Sequence, residues 1–90
     1  MIIEFDPAKS EKNRQSRGLP FSMAHDFDWK TAQYAEDVRH EYSERRFIAV
    51  GWLFEHLHVL CFTPISGGVR IISFRRANKR EIQRHEKASY

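Results

Sequence analysis

The chain has 90 residues, 41% of them hydrophobic and 30% charged, with two Trp, three Tyr and seven Phe. That apolar content suits one small core, so a single globular domain over residues 1–90 is expected, and a disordered tail would be poorer in both apolar and aromatic residues. The net charge is only +3, yet from Val69 to Tyr90 seven Lys or Arg stand against two Glu; such a segregated positive field points to a polyanionic partner, chiefly nucleic acid, with plain solubility as the alternative.

The single cysteine, Cys61, lies in an apolar run and has no second cysteine with which to form a disulfide or a zinc site, which fits a reduced, cytoplasmic setting. Met1-Ile2-Ile3-Glu4 has neither the basic start nor the long apolar stretch of a signal peptide, and no run reaches membrane-spanning length. Neither export nor insertion into a membrane is expected.

In chain order, Ile2 to Phe5 reads as a short strand. Asp6-Pro7 is a helix start, because Asp caps free amides and Pro is tolerated at the first helical position; Ala8 to Arg17 should form a polar helix that Gly18 ends. Helical spacing of Phe21, Ala24 and His25 predicts a second, short helix over Pro20 to Asp26. Thr31 to Tyr34 is a candidate strand, and the charge-dense stretch Ala35 to Ser43 a mobile, exposed loop. Arg45 to Leu53, Leu57 to Thr63 and Val69 to Arg76 are rich in β-branched and aromatic residues and should form an antiparallel meander, with Pro64-Ile65-Ser66-Gly67-Gly68 as the hairpin connection. Asn78, with Glu81 three residues on, caps a final helix from Lys79 to about Lys87, in which Ile82 is nearly the only aliphatic anchor. The expected fold class is α+β: a small antiparallel sheet with two N-terminal helices and one C-terminal helix.

The cations suited to phosphate are Arg45, Arg46, Arg70, Arg75 and Arg76, since a planar guanidinium binds two oxygens at once. Strict alternation along Val69 to Arg76 sets Arg75 on one face and Arg70 and Arg76 on the other, unless a bulge intervenes. Five histidines, at 25, 40, 56, 58 and 85, are possible proton-transfer groups; His56 and His58 share a strand face, but no acidic or cysteine cluster accompanies them as metal ligands. His40 beside Arg39, and Glu44 beside Arg45, are placed where a loop reaches over a sheet face. Trp29, Trp52, Phe54 and Phe74 are either core residues or stacking platforms for bases, with Trp52, next to Gly51 near a strand end, the best candidate for the second role. No glycine-rich phosphate loop, Ser-His-Asp arrangement or paired-carboxylate motif is present, and nothing calls for a cofactor.

Phe5-Asp6-Pro7-Ala8-Lys9, Asn13, Gly18 and Phe21, then Glu44-Arg45-Arg46-Phe47-Ile48-Ala49-Val50-Gly51, then Val69 to Ala77 with Glu81, together resemble the BrnT toxin family, in order over nearly the whole chain. The resemblance implies a RelE-like ribonuclease fold and RNA cleavage that inhibits translation. It also implies neutralisation by a cognate antitoxin with a DNA-binding domain, so that operator DNA is met only through the antitoxin. Lys9, Arg46, Arg70, Arg75 and Glu81 are the matching polar positions, with most weight on Arg46 and Arg75. There are departures. Ser16-Arg17 stands where relatives often carry Lys-His, Ile65 where many carry an arginine, and His85 where many carry a tyrosine, which makes His85 a candidate to take over a proton transfer.

The resulting expectation is a metal-independent endoribonuclease. Arg46 and Arg75 stabilise charge, Glu44, His40 or His85 moves protons, and Lys9, Arg17, Arg45, Arg70, Arg76 and Trp52 hold the RNA. The alternative is a non-catalytic nucleic-acid-binding or regulatory partner within an antitoxin complex.

Overall fold

Asp6 and Pro7 start the first helix as the sequence predicts. In the computed structural model, which describes residues 1–88, the Asp6 carboxylate accepts from the Ala8 amide at 2.9 Å and helix α1 runs over Pro7–Arg17. Gly18 closes it in the left-handed region (φ 67°), its amide donating to the Arg14 carbonyl, a conformation that costs a glycine least. Only Ser10 of α1 is buried, so the helix docks through polar contacts instead of an apolar stripe. The Ser10 hydroxyl accepts from the Phe21 amide, and the Asn13 amide donates to the carbonyls of Leu19 and Phe74.

The second helical segment, Phe21–Asp26, is a 3₁₀ helix, shorter than the predicted Pro20 to Asp26 because Pro20 is extended and serves as its N-terminal flank. The strands are β1 (Ile2–Glu4), β2 (Gln33–Glu36), β3 (Phe47–Leu53), β4 (His56–Ile65) and β5 (Gly68–Arg76), and helix α2 covers Lys79–Ala88. They form one sheet of order β1-β5-β4-β3-β2. The α+β class and the β3-β4-β5 meander stand, but the sheet is mixed: β1 pairs with β5 in parallel. Gly68 permits this, since a Cβ there would overlap the Ile2 carbonyl oxygen.

Three departures from expectation have physical reasons. β2 begins at Gln33 and runs to Glu36, because its backbone pairs Gln33 to Glu36 with Val50 to Phe47. Pro64 and Ile65 belong to β4, not to the turn; beyond Phe62 the β3 side of β4 is unpaired, so the missing proline N–H costs no ladder bond. The charged segment predicted to be a mobile, exposed loop is tied down at Asp37, which is buried.

One face of the sheet carries the core. Leu19, Phe21, Ala24 and Phe27 pack on Ala49, Leu53, Leu60, Phe62, Ile71 and Phe74, with edge-to-face aromatic pairs Phe27–Phe74, Phe27–Trp29 and Phe5–Phe21 at 5.0–6.1 Å, each worth about 0.5–1.5 kcal/mol beyond burial. Among the described residues no helix is long and apolar enough to cross a membrane.

Candidate functional site

The other face of the sheet is more open, and a single irregularity decides which arginines reach it. Cys61 pairs with Ser73, but Phe62 pairs with Ile71, so Ile72 is an extra residue in β5. This is the bulge that strict alternation had to allow for. Val69 and Ile71 before it, and Phe74 after it, all face the core. Arg70, paired with Thr63, and Arg75, paired with Val59, therefore share the open face, and Arg76 is turned to the opposite side, paired with His58.

Arg75 and Ser73 on β5, Val59 and Cys61 on β4, Ile48 on β3 and Arg46 just before it line a cup of about 350 Å³, with Asp37, Arg39, Tyr42 and Glu81 at its rim. Ile48, Val59 and Cys61 give it an apolar patch, and three arginines stand around it with two carboxylates, Asp37 and Glu81. The Arg46 guanidinium lies 4.2 Å over the Tyr42 ring, a cation–π geometry, and its Nε is buried with no hydrogen-bond partner among the described residues. Arg39 donates through Nε and Nη2 to the two Asp37 oxygens at 2.8 Å, and the Tyr42 hydroxyl donates to the same carboxylate at 3.1 Å. The Arg39 guanidinium holds the Asp37 carboxyl far below the usual carboxylate range, so Asp37 is a fixed anion that orders the loop, not a proton acceptor. Burial, with Asp37 nearby, pushes the Cys61 thiol up, which leaves it protonated at neutral pH and unsuited to attack.

Arg75 donates to both oxygens of Glu81 at 2.8 Å, and this pair joins α2 to the cup. Glu81 also closes a reciprocal capping box, accepting from the Asn78 amide while its own amide donates to Asn78 Oδ1, both at 2.9 Å. Arg75 holds its carboxyl below the ordinary value. Four residues on, His85 meets the Trp52 ring edge-on at 6.1 Å, and Glu81 and His85 face Ile48 and Val50 across a groove that continues from the cup. Lys9 stands beside Ile72 and Ser73 on the α1 side.

The predicted site residues thus fall into separate groups. Arg46, Arg75 and Lys9 flank the cup, with His85 and the half-exposed Trp52 along the adjoining groove. Glu44 is engaged by Arg70, which also binds Glu4, and Arg45 pairs with Glu36 and lies over Phe47; neither lines the cup. His40 packs edge-on against Tyr42 within the loop recess that Glu44 also lines. Arg17 and Arg76 lie together on the far side, with His56 and His58. Trp29 and Phe74 belong to the core and its margin. Sequence reasoning misses Arg39, Asp37 and Tyr42; the spacing Asp37-x-Arg39-x-x-Tyr42 is the available signal, but a charge-dense stretch reads as solvated.

A comparison with curated protein sequences finds no match. The model of one family, described as the ribonuclease toxin, BrnT, of a type II toxin-antitoxin system, matches residues 5–81. That span holds every element except the first strand and most of the last helix, and it includes the cup. The chain belongs to the BrnT family of ribonuclease toxins.

Proposed function

We propose that the cup is where the scissile phosphate of RNA binds, with Arg46 and Arg75 stabilising the charge that develops on its oxygens. The observation that carries this reading is the convergence of Arg46, Arg39 and Arg75 around an apolar patch, Arg46 with a buried donor that has no partner among the described residues. Guanidinium forks match phosphate oxygens two at a time, and donors already held in place around a developing charge need no reorganisation when it forms. Glu81 on the cup and His85 one helical turn further along the adjoining groove are assigned the proton transfers: one takes the 2′-hydroxyl proton and the other supplies a proton to the leaving oxygen. An incoming phosphate displaces Glu81 from Arg75 and frees its carboxylate for that task.

On this reading the cleavage needs no metal and leaves a cyclic phosphate end. Purified protein is expected to cut a single-stranded oligoribonucleotide in the presence of EDTA, and Arg46→Ala and Arg75→Ala variants with unchanged circular dichroism to lose that activity. Retained cutting in both variants would remove the cup from the mechanism. One continuous core cluster supports a single toxin domain over the chain, and the mixed five-stranded sheet with helices is compatible with a RelE-like fold. The antitoxin expected of a type II system is read as the partner that carries the DNA-binding domain, bringing the toxin to its operator. A cytoplasmic location follows from the RNA substrate and the lone unpaired cysteine.

A further inference from the structure

Behind the sheet, away from the cup, a cleft of about 420 Å³ opens between the C-terminal end of α1 and the β3-β4 hairpin. Arg17, Phe54, His56, His58 and Arg76 line it over Leu19 and Leu53. Three of its features are not accounted for by packing or by the cleavage site.

The first is Phe54. Leu53 pairs with His56, so Phe54 and Glu55 form a two-residue turn, and Phe54 sits there at φ 55°. A bulky side chain is disfavoured in this region, and glycine is the usual occupant. Nor does burial compensate, because Phe54 is 67% exposed. An aromatic ring held out to solvent on a strained turn marks a position kept for contact with something else.

The second feature is charge without compensation. Arg14, Arg39, Arg45, Arg70 and Arg75 each face a carboxylate. Among the described residues no carboxylate lines this cleft. Arg17 makes no ion pair among the described residues, and the side-chain partner of Arg76 is a ring nitrogen, His56 Nδ1, to which its Nη2 donates at 2.9 Å. The third feature is the wall that positions Arg76. His58, 5% exposed, pairs with Arg76 in register, and its Nδ1–H donates to the His56 carbonyl at 2.9 Å.

We propose that this cleft is a second subsite for single-stranded RNA, separate from the cup, in which Arg17 and Arg76 hold a backbone phosphate and Phe54 stacks on a base. The identity of the ligand rests on the RNA-cleaving reading above. Base stacking on an exposed aromatic tolerates any sequence, and paired guanidinium groups read phosphate alone, so the subsite adds length to the bound strand without adding sequence preference. Arg75 of the cup and Arg76 of the cleft are consecutive on β5 and point to opposite faces. An RNA strand leaving the cup therefore crosses the end of the sheet to enter the cleft.

The test uses a 2′-O-methyl oligoribonucleotide, which lacks the nucleophile and reports binding whether or not the protein cleaves. Phe54→Gly suits the turn and removes only the ring; Arg17→Gln combined with Arg76→Gln removes the charges. Phe54→Gly is expected to melt no lower than the parent chain and to bind the probe several-fold more weakly. The double variant should reduce the slope of log affinity against log salt by roughly 0.7 for each phosphate that it no longer neutralises. Cleavage of a two-nucleotide substrate, too short to leave the cup, should be unchanged in both. Parent-like probe binding in both variants overturns the proposal, as does loss of antitoxin binding with RNA binding intact, which would make the cleft a protein interface. Full probe binding by a parent chain that cuts nothing would sink the cleavage mechanism and leave this subsite standing.

Discussion

Arg46 differs from the other cup arginines in that its Nε is buried and has no hydrogen-bond partner among the described residues. Removing one preorganised donor from a site of this kind costs about 10²–10³ in kcat, and that is the loss expected for Arg46→Ala in single-turnover RNA cleavage. Arg46→Lys should recover little of it, because an ammonium neither stacks flat on Tyr42 nor forks to two oxygens. Two other residues write themselves into the acid stability of the fold. Burial, with Arg76 and His56 beside it, depresses the His58 imidazole below its ordinary 6.5, so the unfolded chain takes up that proton first. Stability is then full above about pH 6.5 and declines as pH falls through that value. Asp37, depressed from 3.8 by Arg39, contributes stability that is full above its ordinary value and is lost only in stronger acid. Urea melts are expected to show two separate declines, the first abolished in His58→Gln and the second in Asp37→Asn; one decline insensitive to either change would refute the assignment.

At the scale of elements, α2 is the least secured piece. It has no buried residue, and its described attachments are the Arg75–Glu81 pair, the Asn78–Glu81 capping box and the His85–Trp52 contact. Asn78→Ala should cost about 1 kcal/mol of helix stability and lower the far-ultraviolet helical signal while the sheet persists. At the other end, β1 depends on Gly68, where an added Cβ would collide with the Ile2 backbone. Gly68→Ala is expected to cost about 1–3 kcal/mol and to release the Ile2 amide from the Gly67 carbonyl, read as faster hydrogen exchange. These elements also show what a sequence discloses. The helix start at Asp6-Pro7, the Gly18 stop and the Asn78–Glu81 box are local chemistry and were legible. The parallel pairing of β1 was not, because it joins residues more than sixty positions apart through a close approach that a glycine allows but does not announce.

For the whole molecule, the sheet divides labour between its faces: an apolar core on one, a cationic cup on the other, with α1 and α2 at the margins. Residue type and resemblance single out Arg46 and Arg75 as phosphate-binding candidates, and the structure sets both on the cup. Their meeting was not legible, since it depends on Ile72 being surplus to the ladder, and no periodicity in Val69 to Arg76 reveals where a bulge falls. Asp37, Arg39 and Tyr42 escaped because a buried carboxylate inside a run of charges looks like solvent-exposed loop. The bulge has a consequence for how this protein can change. Ile72 reverses the parity of β5, so that Val69 and Ile71, at odd positions, and Phe74, at an even one, all reach the core. Were Ile72 taken into regular pairing with β4, one half of the strand would turn its apolar side chains outward, and holding Val69 and Ile71 in the core would exchange Arg75 for Arg76 at the cup. The arginine that faces the cup and the residues that fill the core are thus set by the same insertion, and neither can drift by a single-residue slip without undoing the other.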